Sequence, residues 1–123
     1  MGAPVVHFEI IGKGANVLRT FYRDAFGWHF GDPVEGAGIP DYTLVKPNEG
    51  AGIGGGIGTA PDGYDGHVAF YVGVPDVAKA LDTVEQRGGT KMMGPDAVPG
   101  GFVIGLFQDP EGHVVGLVET PAA

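Results

Sequence analysis

The stretch Val5-Val6-His7-Phe8-Glu9-Ile10 returns in kind sixty residues later as His67-Val68-Ala69-Phe70-Tyr71-Val72. Both stretches are short, apolar and aromatic with β-branched residues, the composition of a strand. A helical pattern follows each. Alternate side chains of a strand share a face, so His7 joins Glu9, and His67 joins Ala69 and Tyr71. The recurrence predicts a doubled domain whose two leading strands each bring one imidazole to a common site.

The order of elements supports the doubling. After a first strand over Pro4 to Ile11, apolar residues at Ala15, Leu18, Phe21, Tyr22, Ala25 and Phe26 have helical spacing with one wide face. Gly14 and Asn16 are candidate caps, and Gly27 stands where a helix-ending glycine belongs. Trp28-His29-Phe30 reads as a short strand ending at a Gly31-Asp32-Pro33 turn. A loop over Val34 to Pro40, a strand over Tyr42 to Lys46, a Pro47-Asn48-Glu49-Gly50 turn and a glycine-thinned strand over Ala51 to Gly58 complete the half. The second half repeats the order. A strand over Gly66 to Val74 precedes a helix capped by Asp76, with Val77, Ala80, Leu81 and Val84 as its stripe and Gly88-Gly89 at its end. Strands then cover Thr90 to Met93, Gly101 to Phe107 and His113 to Thr120, with a loop over Gly94 to Gly100. Asp109-Pro110-Glu111-Gly112 is a type I turn by its proline and glycine positions, and Pro121-Ala122-Ala123 is a frayed tail. At the sixty-residue offset Tyr42 falls on Phe102, Gly52 on Gly112, Gly56 on Gly116 and Ile57 on Leu117. The chain of 123 residues is thus expected to be one α+β domain, with modules 1–60 and 66–120 joined by a linker at 61–65. Two such halves make a curved sheet of eight strands, or two chains share them crosswise.

Composition narrows the chemistry. Hydrophobic residues at 43% and charged residues at 18% predict a soluble globular chain rather than a disordered one. No apolar run is long enough to span a membrane, and without a secretory pattern at the N-terminus the expected location is cytoplasmic. The net charge is −8, and the seven lysines and arginines form no basic stripe, which argues against nucleic-acid binding. There is no Cys, which removes disulfides, thiolate catalysis and Cys–zinc sites. There is also no Ser, so Ser-His-Asp chemistry is impossible. Acid/base or metal-assisted steps are what the remaining side chains support.

Three constellations could carry such steps. If the halves pair, His7, His67 and Glu119 converge as two imidazoles and a carboxylate. That is a facial set with open positions suited to Fe(II) and possible for Mn, Co, Ni or Zn, able to hold two substrate oxygens and stabilise an enediolate or enolate. The bland alternative makes both histidines polar strand residues and Glu119 a solvated charge. Gly50-Ala51-Gly52-Ile53-Gly54-Gly55 matches G-x-G-x-x-G, but no helix follows, so the dinucleotide reading lacks its strand-turn-helix context. Glu9, on the face of His7, is a general base or a carboxylate that orients a ligand, or else a solvent-facing or salt-bridged charge. Tyr71 and Trp28 are pocket candidates, with core packing the plainer role for Trp28. His113 follows a turn and reads as a surface residue, and His29 shares no repeat position with the other imidazoles.

Val6-His7-Phe8-Glu9 followed by Phe21-Tyr22-Arg23-Asp24-Ala25-Phe26-Gly27-Trp28 resembles the start of the vicinal oxygen chelate superfamily (glyoxalase I, extradiol dioxygenases, methylmalonyl-CoA epimerase, fosfomycin and bleomycin resistance proteins). Gly66-His67-Val68 and Asp109-Pro110-Glu111-Gly112-His113 through Leu117-Val118-Glu119 are similar to its second half. The resemblance implies paired βαβββ modules forming a curved, partly open eight-stranded sheet around a concave site. It also implies a divalent metal held by the first and last strands of both modules. His7, His67 and Glu119 match three of the four ligands of glyoxalase I-like members. The fourth position falls on Thr59, which argues against glyoxalase I activity, as does the scarcity of basic residues for glutathione. Two His and one Glu are similar instead to the extradiol dioxygenase set, in a much shorter chain. The expectation is a metal-dependent lyase, isomerase or dioxygenase acting on a small molecule, as a homodimer. The alternative is a metal-free, bleomycin-resistance-like protein that only binds a small molecule or drug.

Overall fold

The computed structural model describes residues 2–34, 39–46, 52–98 and 102–120. Their order is β1 (Val5–Gly12), α1 (Ala15–Phe26), β2 (Phe30–Pro33), β3 (Thr43–Val45), β4 (Gly55–Thr59), β5 (His67–Val74), α2 (Val77–Gln86), β6 (Thr90–Val98), β7 (Phe102–Gln108) and β8 (Val114–Glu119). This is the α+β class, with βαβββ running twice along the chain as the repeat predicted. The chain forms two compact units, residues 7–68 and residues 1–6 with 69–123. Among the described residues no helix is long and apolar enough to cross a membrane.

In the unit of residues 7–68, β1 pairs in parallel with β4 from Phe8↔Gly55 to Gly12↔Thr59. β3 runs antiparallel to β4, and β2 lies outside β3. The helix packs on this sheet because Ala15, Leu18 and Tyr22 recur on one side of α1. They meet Ile10, Val45 and Ile57, with Phe8, Trp28 and Phe30 around them. The rest of the expected apolar face stays largely open to solvent, with Phe21 58% and Phe26 63% exposed at the edge of the Tyr22 and Trp28 rings. Gly27 ends α1 in the left-handed region at φ 73°, its N–H donating to the Arg23 carbonyl. Gly14 occupies the N-cap with no side-chain bond, and Asn16 is taken up by Arg19 instead.

The other unit repeats the topology. β5 is parallel to β8, β7 is antiparallel to β8, and β6 lies outside β7. Val77, Leu81 and Leu117 form its core, with Val72, Val74, Ala80, Val103 and Phe107 packed around them. The Asp76 carboxylate accepts from the Lys79 N–H and caps α2.

The internal match is not uniform. β1 and β5 begin at residues 5 and 67, and α1 and α2 at residues 15 and 77, an offset of 62. The parallel pairs opposite Gly56 and Gly116 are Glu9 and Tyr71, so the last strands keep the offset of 60. At the structural offset His7 matches Ala69, Glu9 matches Tyr71, and His67 matches Val5. The slip is two residues, one full pleat, so side chains keep their faces.

Several expected boundaries move, each for a pairing reason. β2 covers Phe30–Pro33 rather than residues 28–30, because Phe30 and Pro33 pair with Val45 and Thr43 while Trp28 turns into the aromatic cluster. β3 is shorter than residues 42–46. β4 begins at Gly55, after Gly52 takes φ 79° and breaks the extended run. β6 continues through Gly94-Pro95 to Val98, which sequence reads as a loop, because two register shifts against β7 absorb the irregular pair. The turn at residues 47–50, most of the loop at residues 34–40, the first two residues of the G-x-G-x-x-G run and the tail at residues 121–123 lie outside the described residues. The outer strands are poor templates for further pairing: β2 is four residues long and ends in Pro33, and β6 carries Lys91, Pro95, Asp96 and the two shifts.

Glycines of β4 and β8 seat rings. A Cβ on Gly56 would lie 2.0 Å from the Tyr42 hydroxyl oxygen, and one on Gly116 would lie 2.6 Å from the Tyr71 ring. Both tyrosines are buried. Gly56→Ala therefore forces Tyr42 off its seat, with an expected loss of about 1–3 kcal/mol, read from urea unfolding. A loss near zero would mean that the ring is not held there.

The predicted turn forms: the Gly112 N–H donates to the Asp109 carbonyl at 2.9 Å. The Asp109 carboxylate accepts from the backbone N–H groups of Glu111 and His113 and from the His113 ring. Chiefly the His113 backbone N–H, and then its side chain, hold the Asp109 carboxyl below its ordinary value of 3.8. A depressed carboxyl stabilises the fold above its unfolded pKa and loses that contribution as pH falls through the folded value. Stability should thus decline as pH drops below about 3.8, and Asp109→Asn should remove this part of the decline. Identical acid-unfolding slopes for wild type and Asp109→Asn would contradict it.

Candidate functional site

β1 divides its side chains between two faces. Phe8 and Ile10 join the core against α1, so His7, Glu9 and Ile11 face the other way. The Glu9 carboxylate is 2% exposed, on a strand position paired with Gly56. Burying a carboxylate is costly unless it is paired and hydrogen-bonded. His67 supplies the pairing: its Nε2 lies 2.7 Å from Glu9 Oε2, and the two side chains are 6% and 3% accessible. On the far side of the imidazole, Nδ1 lies 2.5 Å from the Tyr64 hydroxyl. The Tyr64 and His67 rings meet edge to face with centroids 5.6 Å apart.

Proton positions follow from this chain. Burial pushes the Tyr64 phenol up, and the negative charge of Glu9 adds to it, so Tyr64 keeps its proton. A carboxylate only accepts, so an imidazole that takes its proton from Tyr64 at Nδ1 carries its own N–H on Nε2, toward Glu9. Tyr64 then donates to Nδ1, and Nε2–H donates to Glu9. The three residues form a directed series, with the phenol as its least buried member.

A second imidazole–phenol pair involves the same strand face. His7 Nε2 and the Tyr42 hydroxyl are 3.1 Å apart. Burial lowers the His7 pKa below its ordinary 6.5, against the upward pull of Glu9, and the ring is neutral at neutral pH.

The other candidates take different places. Glu119 Oε2 accepts from the Val77 N–H at 3.1 Å, at the first turn of α2, where the helix dipole favours a negative charge. Trp28 stacks on Tyr22 with centroids 4.8 Å apart and leans on Phe8 at 5.2 Å, within the core beneath α1. Tyr71 is 4% exposed, its ring over Gly116. His113 is exposed on the Asp109 turn and His29 is exposed. Sequence reasoning missed Tyr64 and Tyr42. A tyrosine three residues before His67, and a glycine-thinned strand that needs a ring to fill it, were the available signals.

Each candidate metal donor has a hydrogen-bond partner within its own unit. Both nitrogens of His67 are engaged, Glu119 is bonded to the α2 backbone, and the first-strand position of the second half that matches His7 is Ala69. Among the described residues no three His, Cys, Asp or Glu side chains are grouped to hold a metal.

Known proteins bear on the fold. The family model described as the Glyoxalase/Bleomycin resistance protein/Dioxygenase superfamily matches residues 5–117. Among solved structures, methylmalonyl-CoA epimerase from Mycobacterium tuberculosis is similar, with 15% identity and a TM-score of 0.68 over 96% of this chain and 88% of that one. A hypothetical protein from Bacillus halodurans C-125 has 12% identity and a TM-score of 0.72 over 100% and 98%. Streptomyces coelicolor methylmalonyl-CoA epimerase in complex with 2-nitronate-propionyl-CoA has 20% identity and a TM-score of 0.62 over 98% and 99%. At these identities the likeness concerns the fold alone. No match was found among curated proteins.

The Glu9–His67 pair yields a stability prediction. His67→Leu leaves the Glu9 carboxylate buried without its donor and should cost about 3–5 kcal/mol. The double variant Glu9→Met/His67→Leu, which removes both polar groups, should recover most of that loss. Urea unfolding of the three proteins checks it, and a His67→Leu loss below about 1 kcal/mol, typical of an exposed pair, would refute the burial.

Proposed function

Because the chain belongs to the Glyoxalase/Bleomycin resistance protein/Dioxygenase superfamily, we propose that it is a small-molecule enzyme moving a proton at a carbon next to a carbonyl, through an enolate or enediolate. The observation that carries this reading is the buried Glu9–His67 pair with Tyr64 on its outer end. Buried ionisable groups bonded in series are characteristic of acid/base sites. Tyr64 is the member that meets substrate. Its phenolate is disfavoured, so the phenol oxygen gains one proton as it gives the other to His67 Nδ1. The imidazolium so formed lies against Glu9, which offsets its charge. The reverse sequence returns a proton to the substrate carbon. Solved neighbours described as methylmalonyl-CoA epimerase, one in complex with methylmalonyl-CoA, support a carbonyl compound as the substrate class.

No step of this proposal runs through a metal. The reading with His7, His67 and Glu119 around a divalent ion remains a separate proposal, since it asks His67 to give up one of its two hydrogen bonds. Elemental analysis of protein purified without chelators, native and His67→Ala, tests it. A cytoplasmic homodimer belongs to the same proposal, and light scattering checks the oligomeric state.

A second reading, a non-catalytic binder of a small molecule or drug, draws on the same burial, since Glu9 and His67 are nearly sealed from solvent. Proton exchange separates the two. Acyl thioesters and 2-oxo acids are incubated with the protein in D2O, and deuterium at the carbon next to the carbonyl is followed by NMR. The acid/base reading expects incorporation that falls about 100-fold or more in Tyr64→Phe and in Glu9→Gln. Binding of a panel member without incorporation would favour the binder.

A further inference from the structure

We infer that Arg19, on α1, is a positioning residue for His7, acting through Asp41 and Tyr42. Asp41 is the only described residue other than glycine with positive φ, at 56°. An L side chain rarely adopts that conformation, although aspartate tolerates it better than most. Arg19 holds it there. Its Nη1 donates to the Asp41 carbonyl at 3.1 Å, and its Nη2 lies 2.6 Å from Asp41 Oδ2 and also donates to Asn16 Oδ1. The guanidinium side chain is only 14% accessible. This fork grips one residue by backbone and side chain at once, a geometry that lysine does not reproduce.

The residue so gripped is the immediate neighbour of Tyr42. The backbone around it is also tied, with Val34 N–H donating to the Tyr42 carbonyl and Thr59 N–H to that of Pro40. These bonds fix the path of the chain. The Asp41 conformation sets the direction in which the next side chain leaves it, and that direction lays the Tyr42 ring across Gly56 and Gly58. The ring ends with its hydroxyl 3.1 Å from His7 Nε2. The helix on one side of the sheet thereby orients an imidazole on the face opposite the helix-side core.

The coupling does not rest on the proposed function, and its test needs no substrate. Two-bond 1H–15N spectra report the tautomer and environment of each histidine ring, with His7→Gln identifying the His7 signals. Wild type is expected to show one His7 tautomer. Tyr42→Phe should shift it or mix the two tautomers. Asp41→Asn, which tolerates positive φ but loses the ion pair, and Arg19→Gln should give the same change while the backbone spectrum stays folded. Arg19→Lys should fall between them and wild type. Unchanged His7 signals in Asp41→Asn and Arg19→Gln, alongside a change in Tyr42→Phe, would reduce the clamp to loop anchoring and overturn the inference. Unchanged signals in Tyr42→Phe would overturn it at its last link. The deuterium-exchange assay can fail without moving any of these signals, so the two proposals fall separately.

Discussion

A carboxylate with 2% exposure on a central position of β1 imposes conditions on everything near it. Its charge needs a donor, and the donor arrives from 58 residues away as His67. That imidazole then needs a partner for its second nitrogen, which Tyr64 provides. The segment between β4 and β5 is fixed accordingly. Tyr64 N–H bonds to the Pro61 carbonyl, and a Cβ on Gly66 would lie 2.1 Å from the Ile11 carbonyl oxygen. The short connection is therefore more than a spacer: it delivers a phenol and an imidazole to the same carboxylate.

The two phenol–imidazole pairs are built by opposite means. Tyr64 and His67 are near in sequence, and their contact is local. Tyr42 and His7 are far apart, and their contact depends on glycines that leave a strand without side chains beneath the ring, together with a left-handed residue before it. Neutral His7 and protonated Tyr64 present an acceptor and a donor under the same neutral conditions.

Much of this was legible in the residues. The helix over Ala15–Phe26 was correct at both ends, because the apolar spacing and Gly27 are local signals. Asp76 was correct as a cap for the same reason. The period of two placed His7 and Glu9 on one face without any structure. Strand limits were less legible, since β2 and β6 extend as far as their partners allow, and bulges carried β6 through a glycine and a proline that read as a loop. The Glu9–His67 bond was hidden because the repeat was read at 60 residues, where the histidines coincide, while the first strands and helices correspond at 62. Nothing in the spacing of Glu119 disclosed that the backbone of α2 would engage it.

That difference of two residues has a consequence for how duplicated strands diverge. A slip of one residue would turn every core side chain outward and be fatal to packing. A slip of two is silent to the core, yet it carries each side chain roughly 6.6 Å along the strand, given a rise near 3.3 Å per residue. Two copies can therefore keep one architecture while a functional group is moved by more than the length of a hydrogen bond. In this chain the move leaves an alanine where the duplicate has a histidine, and brings the displaced imidazole within reach of a carboxylate in the other repeat. Such paired-pleat sliding offers a duplicated sheet a route to a new set of partners with no change in topology, at the cost of a two-residue difference in the connections between helix and last strand.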